Sequence, residues 1–428
     1  MLKHLLIIIL FSVLAINNSN AQWTACGSGL DNSPSDMVVF NNELIVCNTD
    51  SAGGIGVNQL AKWNGTSWSA FGGSGPDVGG IKTMIVYNNN LVVAGYFAAM
   101  DGYPANCIAM WNGTSWDSLG GGLNGIVYSM TIFNGDLIVG GNFYYAGGVN
   151  ADKVARWNGT SWSAMDAGFD APVNALAVYN SELYAGGIFI RSVPDTMYYI
   201  AKWNGTDWDA LGNDELNGEV YTLETYNGSL YAGGDFDYDS VNYIGYWNGT
   251  VWKGCDGGTN DWVYDLAVYG GELYVGGYFD ALYNGATANY IARWNGSAWA
   301  QCGSGMNDEV DCFELYNGKL YASGYFDNAD GIPARYIAGW EVPSAIDENY
   351  SDELVSVFPN PSDGKINFNL ASSVPVAFEI FNSLGEKVFT SATIKNNSSV
   401  DLSALPSGIY FAQLSSKDSQ AWKKIVIQ

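Results

Sequence analysis

Six copies of the hexapeptide Trp-Asn-Gly-x-x-Trp constrain this chain more than any other feature. They begin at Trp63, Trp111, Trp157, Trp203, Trp247 and Trp294, at intervals of 48, 46, 46, 44 and 47 residues. Between them a second signature recurs, as Val-Tyr-Asn-Ser-Glu-Leu-Tyr-Ala-Gly-Gly at 178–187 and close variants at 225–234 and 268–277, with looser copies near residues 39, 86, 132 and 315. That makes seven copies. Each repeat divides into four short apolar runs, such as 173–179, 183–187, 199–203 and a last run from Trp208. Asn-Gly in the hexapeptide supplies the positive φ angles of a two-residue hairpin turn. Four strands repeating with a period in the forties describe the blades of a β-propeller.

The ends of the array predict how the ring closes. Trp23 occupies the second Trp position of the hexapeptide with no strands before it, whereas the last copy stops at Trp340 without a fourth strand. The segment 22–27 is therefore expected to complete the blade built by 310–340, which leaves no free sheet edge there. The expected architecture is all-β: a signal peptide (1–21), a seven-bladed propeller (22–343) whose N-terminal strand closes the last blade, a linker (344–352), and a small immunoglobulin-like β-sandwich (353–428).

The blade pattern of apolar strand, Gly-Gly, aromatic strand, turn and Trp, seen at 183–187, 199–203 and Trp208, resembles the kelch repeat over residues 22 to about 340. It departs from kelch where Trp-Asn-Gly replaces the usual Tyr-Asp. The resemblance implies a ligand-binding propeller; a copper-radical oxidase of that shape would need His ligands. Beyond the linker the chain reads Val-Phe-Pro-Asn-Pro-Ser-Asp-Gly-Lys at 357–365, Phe-Glu-Ile-Phe-Asn-Ser-Leu-Gly-Glu-Lys-Val-Phe at 378–389 and Leu-Pro-Ser-Gly-Ile-Tyr at 405–410. The order of these motifs resembles the type A C-terminal sorting domain of the type IX secretion system of Bacteroidetes. The family pattern falls on Pro359, Asn360, Pro361, Gly364, Gly385, Leu405, Gly408, Tyr410 and Lys424. It implies engagement of that secretion machinery by residues 353–428 and a secreted or outer-membrane-surface location.

The N-terminus agrees with export. Lys3, the apolar run from Leu5 to Leu14 and the polar stretch ending at Ala21 have the layout of a cleavable signal, and no later run is long enough to span a bilayer. The sole histidine is His4. A mature chain starting at Gln22 then has no imidazole for Ser-His-Asp or Cys-His catalysis or for metal ligation. Residues 22–343 hold 10 Lys and Arg against 34 Asp and Glu, a net of −24, which disfavours nucleic acid and anionic surfaces as partners. Cys26, Cys47, Cys107, Cys255, Cys302 and Cys312 allow 15 disulfide connectivities, and partial pairing or simple burial are both open.

In a four-stranded blade the longer connections gather on one face, so ligand recognition is expected there. Fourteen of the sixteen Trp residues sit at repeat positions and read as packing. Trp262 breaks the pattern, and Tyr103, Tyr144, Tyr145, Tyr198, Tyr238 and Tyr283 fall in long connections; these seven are the candidate ligand platforms. Asp235, Asp237 and Asp239 have a spacing that could offer oxygen ligands to calcium, as could Asp327 and Asp330, but neither loop reproduces a twelve-residue calcium site. No cofactor is expected. Asp36, Glu219, Asp265, Asp308 and Asp311, at the starts of inner strands, point toward a channel mouth. The expected function is non-catalytic binding or adhesion to a polysaccharide or protein through the long-loop face. A carboxylate-dependent carbohydrate-active enzyme is the alternative, and a structural surface protein the third.

Overall fold

The computed structural model describes residues 22–192, 195–211, 216–238, 241–341, 355–358, 362, 364–370, 376–381, 387–394, 398–406, 408–415 and 420–427. The signal-peptide and linker assignments lie outside them. The chain divides into two compact units, the first covering Asn20–Val342 and the second taking in Pro343–Gln428.

In the first unit the described residues build seven antiparallel four-stranded sheets. Their innermost strands are Met37–Phe40, Gly80–Tyr87, Ile126–Phe133, Val173–Tyr179, Glu219–Tyr226, Val263–Tyr269 and Val310–Tyr316. Each contacts the next, and the seventh contacts the first, so the sheets form a closed ring. The closure is the one the chain ends predict: Gln22–Ala25 pairs antiparallel with Ile337–Glu341, matching Trp23 to Trp340.

The repeated aromatics hold neighbouring sheets together. The two Trp of each blade pack with ring centroids between 5.0 and 5.8 Å apart. In six of the seven sheets the outer-strand indole then donates to a carbonyl of the preceding sheet, Trp252 being the exception: Trp68 to Cys26 at 2.8 Å, Trp162 to Leu119 at 2.8 Å, Trp299 to Cys255 at 2.7 Å, and, at the closure, Trp23 to Cys302 at 3.1 Å. At the opposite end, the Tyr that finishes an inner strand donates to the hairpin turn of the following sheet: Tyr179 to Gly228 (2.8 Å), Tyr226 to Gly271 (3.0 Å), Tyr269 to Gly318 (2.7 Å) and Tyr316 to Asn42 (3.0 Å). A net hydrogen bond contributes about 1 kcal/mol, so Tyr316→Phe is expected to lower unfolding free energy by that amount in urea titration, while Tyr198→Phe leaves it unchanged.

The Gly-Gly signature has a steric cause. A Cβ on Gly276 would meet Val310 Cγ1 of the next sheet at 2.7 Å, and one on Gly277 would collide with the Trp262 carbonyl oxygen. The first glycine lets the sheets approach and the second admits a kink in the inner strand. The Asn-Gly turns are four-residue connections and not the two-residue ones expected, since Trp63 pairs with Trp68 and only the glycine takes a positive φ; Asn64 Oδ1 accepts from the amides of Thr66 and Ser67 at 2.9 Å, and Asn112, Asn158, Asn204, Asn248 and Asn295 repeat the geometry.

All six cysteines are buried and free, which resolves the pairings left open by the sequence. Cys26, Cys255 and Cys302 each follow the outer-strand Trp by three residues, where other blades carry Phe71, Leu119, Met165 and Leu211; the thiols serve as small core residues. Burial pushes the Cys26 and Cys47 thiols up to about 12, far from reactive thiolates.

The second unit has a three-stranded sheet, Val355–Phe358, Lys365–Leu370 and Ser399–Asp401, and a four-stranded sheet ordered Lys387–Ile394, Val376–Phe381, Gly408–Ser415, Gln420–Ile427. Ile366 and Phe368 of one share a core with Phe378, Ile380, Tyr410 and Ile425 of the other. Residues of the sorting pattern build this core: Tyr410 donates to the Pro406 carbonyl at 2.8 Å, Leu405 packs against the cluster, and Gly364, at φ +97°, passes so close to the Ser403 backbone that a Cβ would meet it at 2.6 Å. Gly408 opens the strand that carries Tyr410, and Lys424 pairs in register with Phe411. Pro359, Asn360, Pro361 and Gly385 lie outside the described residues.

Candidate ligand site at the channel mouth

Six of the seven inner strands carry one extra residue. The pairing register skips a position between Ile81 and Thr83, Val127 and Ser129, Val173 and Ala175, Val220 and Thr222, Val263 and Asp265, and Val310 and Cys312. The bulged residues are Lys82, Tyr128, Asn174, Tyr221, Tyr264 and Asp311. A bulge breaks the in-out alternation of a strand and re-aims one side chain. Here it does so in six blades, at the end of the channel where the long connections gather.

Around this mouth the aromatic residues run together on the fifth and sixth sheets. Tyr221 and Tyr264 have ring centroids 6.1 Å apart, Trp262 lies 6.4 Å from both Tyr264 and Tyr278, and Tyr278 lies 6.3 Å from Tyr290. Trp262 is 39% exposed, Tyr278 49% and Tyr325 53%. Beside this wall a pocket of about 330 Å³ is lined by Tyr128, Pro172, Asn174, Ile188, Glu219 and Tyr221. Carboxylates flank the rings. Glu309 and Asp311 act on Tyr264 and Glu219 and Asp235 on Tyr221, adding to burial in raising both phenols. Trp262, which the sequence sets outside the repeat, stands in this wall. Its partners Tyr221, Tyr264, Tyr278 and Tyr290 were missed, and the extra residue in each inner strand is the signal that could have found the first two.

The loop tyrosines are dispersed. Tyr103 belongs to the ribbon of Ala99–Met100 and Tyr103–Pro104, and Tyr145 to that of Tyr145–Ala146 and Val149–Asn150. The Tyr144 ring instead covers the Lys153 ammonium, 3.5 Å from its centroid. Tyr198, Tyr238 and Tyr283 are exposed in three further connections. The long connections are thus mostly tied down as short ribbons. Asx side chains clip them: Asn124 Oδ1 accepts from the Tyr144 and Tyr145 amides at 2.8 Å, and Asp170 Oδ1 accepts from Ile190 and Arg191 at 3.0 Å.

The acidic loop residues are engaged in the same way. Asp330 Oδ1 accepts from the Ser304 amide and hydroxyl at 2.7 and 2.6 Å, and Asp327 from Asn307 at 2.7 Å. Asp235 pairs in register with Glu219 and Asp237 with Asn242; Asp239 lies outside the described residues. Among the described residues no three acids or cysteines stand together as a metal site.

Deeper in the channel, Asp36, Glu224, Asp265 and Glu314 line one cavity of about 520 Å³. Asp36 accepts from the amide of Met37 (2.7 Å) and, across the sheet boundary, of Met84 (2.6 Å); Asp265 does the same with Leu266 (2.9 Å) and Phe313 (2.8 Å). Burial pushes Asp36, Asp265 and Asp311 up to about 7 and Glu314 up to about 8, the field of Asp36 and Asp265 adding to the last. Glu224 is also raised by burial. Of the acids expected at the channel, Asp36 and Asp265 turn inward and serve as latches between sheets, while Asp308 and Asp311 stay near the mouth with Glu309.

Residues 356–428 match the family model of the secretion system C-terminal sorting domain. The second unit is a type IX sorting domain. The sorting domain directs the chain to the cell surface or the medium and implies contact with the secretion machinery, consistent with a Bacteroidetes-type exported protein. Upstream of it, residues 77–229 match the Rax2 C-terminal beta propeller domain and residues 271–296 the Domain of unknown function (DUF5122) beta-propeller, so the first unit is a β-propeller. Among solved structures, the extracellular domain of a one component system from B. thetaiotaomicron is similar over 96% of this chain and 91% of that chain, at 9% identity and a TM-score of 0.32. No curated protein matches the sequence. Among the described residues no helix is long and apolar enough to cross a membrane.

Proposed function

We propose that this exported protein is a non-catalytic glycan-binding or adhesion protein. Its kelch-like, seven-bladed propeller holds the ligand at the long-connection mouth of the channel, and its immunoglobulin-like C-terminal sandwich is the export address. The observation that carries this reading is the continuous aromatic wall of Tyr221, Tyr264, Trp262 and Tyr278, half-buried at the first two rings and exposed at the last two, beside a polar-rimmed pocket. Exposed aromatic patches rimmed by polar groups mark interaction sites, and a flat ring face suits the apolar face of a sugar. The full exported chain is to be screened against polysaccharides and glycoproteins with product release followed in the same wells. Trp262→Ala is expected to weaken binding of the best glycan by about tenfold without changing the melting temperature. Equal binding by wild type and variant would overturn the assignment.

The convergence of Asp36, Glu224, Asp265 and Glu314 on one cavity favours the second reading, a carboxylate-dependent carbohydrate-active enzyme. Against it, Asp36 and Asp265 each spend both oxygens on backbone amides, and Glu224 accepts from its neighbour Thr225 at 2.7 Å. Release of shortened chains that is lost in Glu224→Gln would establish the enzyme.

A further inference from the structure

We infer that the glycan held at the channel mouth carries ammonium groups, as an amino-sugar polymer does, and that an acidic polysaccharide is excluded. The inference rests on the glycan-binding reading and adds the charge of the ligand. The aromatic wall is bordered by carboxylates on the sides that the structure describes. Glu219 and Asp235 act on Tyr221, Glu309 and Asp311 on Tyr264, and Asp308, Asp280 and Glu309 on Tyr290. Among the described residues Lys82 offsets part of this negative charge, at Asp311.

An ammonium group seated between Trp262, Tyr264 and Tyr278 would gain twice. The ring faces attract a cation through their quadrupoles, and the partly buried Glu309, which accepts from the Tyr264 hydroxyl, adds its charge there, as Glu219 does at Tyr221 further along the wall. A uronate or sulfate in the same position would face the same carboxylates with its own charge and no compensating donor. The field of the whole chain acts in the same direction, since a net charge of −26 draws cationic polymers in and keeps anionic ones away. A lysine-rich peptide would share the charge. The pocket beside the wall favours the sugar, because Asn174 and Glu219 offer polar groups for ring hydroxyls next to the flat faces of Tyr128 and Tyr221.

Calorimetric titration of the full exported chain with a glucosamine tetrasaccharide, its N-acetylated counterpart, oligogalacturonate and oligolysine tests this. The expected result is an amino tetrasaccharide bound at least about tenfold more tightly than the N-acetylated one, an advantage that shrinks with added salt, and no binding of oligogalacturonate. Glu219→Gln with Glu309→Gln should reduce the preference to about threefold or less while leaving N-acetylated binding in place. Trp262→Ala should weaken both. Equal affinity for the two tetrasaccharides, a preference that survives the double Gln variant, or oligolysine binding as tightly as the amino sugar would each overturn the inference. If a neutral glycan binds in a Trp262-dependent way and the amino form is no better, the glycan-binding reading stands and only the charge assignment falls. Binding of the amino sugar that ignores Trp262→Ala would remove both.

Discussion

Trp23→Ala is expected to cost roughly 4 kcal/mol of unfolding free energy, the largest effect of any single side chain in the propeller. The indole is 1% exposed, packs on Trp340 at a centroid distance of 5.0 Å and donates to the Cys302 carbonyl at 3.1 Å. Truncation therefore removes a large buried ring and leaves an acceptor without its donor at the point where the ring closes. The strand around it is only four residues long, Gln22–Ala25, and it is the outer strand of a sheet whose other three strands come from the far end of the array. Removing residues 22–25 should go further. Ile337–Glu341 would become an open edge with its backbone groups unpaired, a template for intermolecular pairing. Urea titration reports the first effect, and light scattering of the truncated protein the second. Trp262→Ala, by contrast, should stay within about 0.5 kcal/mol of wild type because that residue is 39% exposed at the mouth whereas Trp23 is 1% exposed. A Trp23→Ala protein as stable as wild type would show that closure depends on the other sheet boundaries and not on this strand.

Most of the ring was legible because its information is local and repeated. Period, Asn-Gly turns and Trp spacing each specify a strand or a turn, and the orphan Trp23 could be matched to the incomplete blade ending at Trp340. The sorting pattern was legible through its resemblance to a known family; in the fold Gly364 packs on the Ser403 backbone, and Leu405 and Tyr410 share one core. The mouth was harder to see. Tyr221 and Tyr264 occupy the same position in consecutive repeats, and at that position the strand departs from simple alternation, so counting in twos places them in the sheet interior. Only the bulge shows that they face the channel mouth. For the loop tyrosines the sequence signal was only their place in long connections, and the structure sets them on separate connections, two of which are clipped by Asn124 and Asp170. Glu224 and Glu314 were likewise hidden, being the acidic members of a register position that is Val38, Ile85, Ala177 and Ala267 in other blades.

Those buried acids make the propeller less stable as pH rises. Asp36, Asp265 and Asp311 have an ordinary value of 3.8 and titrate at about 7 in the folded protein; Glu314 moves from 4.5 to about 8. Below about pH 4 both folded and unfolded chains keep these protons, and the groups cost nothing. Between about pH 4 and 8 the unfolded chain ionises freely while the folded chain resists, so the unfolded state binds fewer protons and stability falls. Above about pH 8 the full cost of four buried charges is present. The groups that face one another are Asp36, Glu224, Asp265 and Glu314 in the cavity, Cys312 beside them, and Glu309, Asp308 and Lys82 around Asp311. Lys82 offsets only the last. Acids of the opposite sort, Asp77 held down by the Ala99 amide and Asp101 by Ser74, lose their contribution only below about pH 4 and do not disturb this window. The melting temperature is therefore expected to drop by at least about 5 °C from pH 5.5 to pH 9. Glu314→Gln, which keeps the shape and cannot ionise, should flatten that slope and raise the melting temperature at pH 9 above that of wild type. A melting temperature that rises across the interval, or a Glu314→Gln protein with the wild-type slope, would mean that the channel opens to water and solvates its carboxylates as they charge.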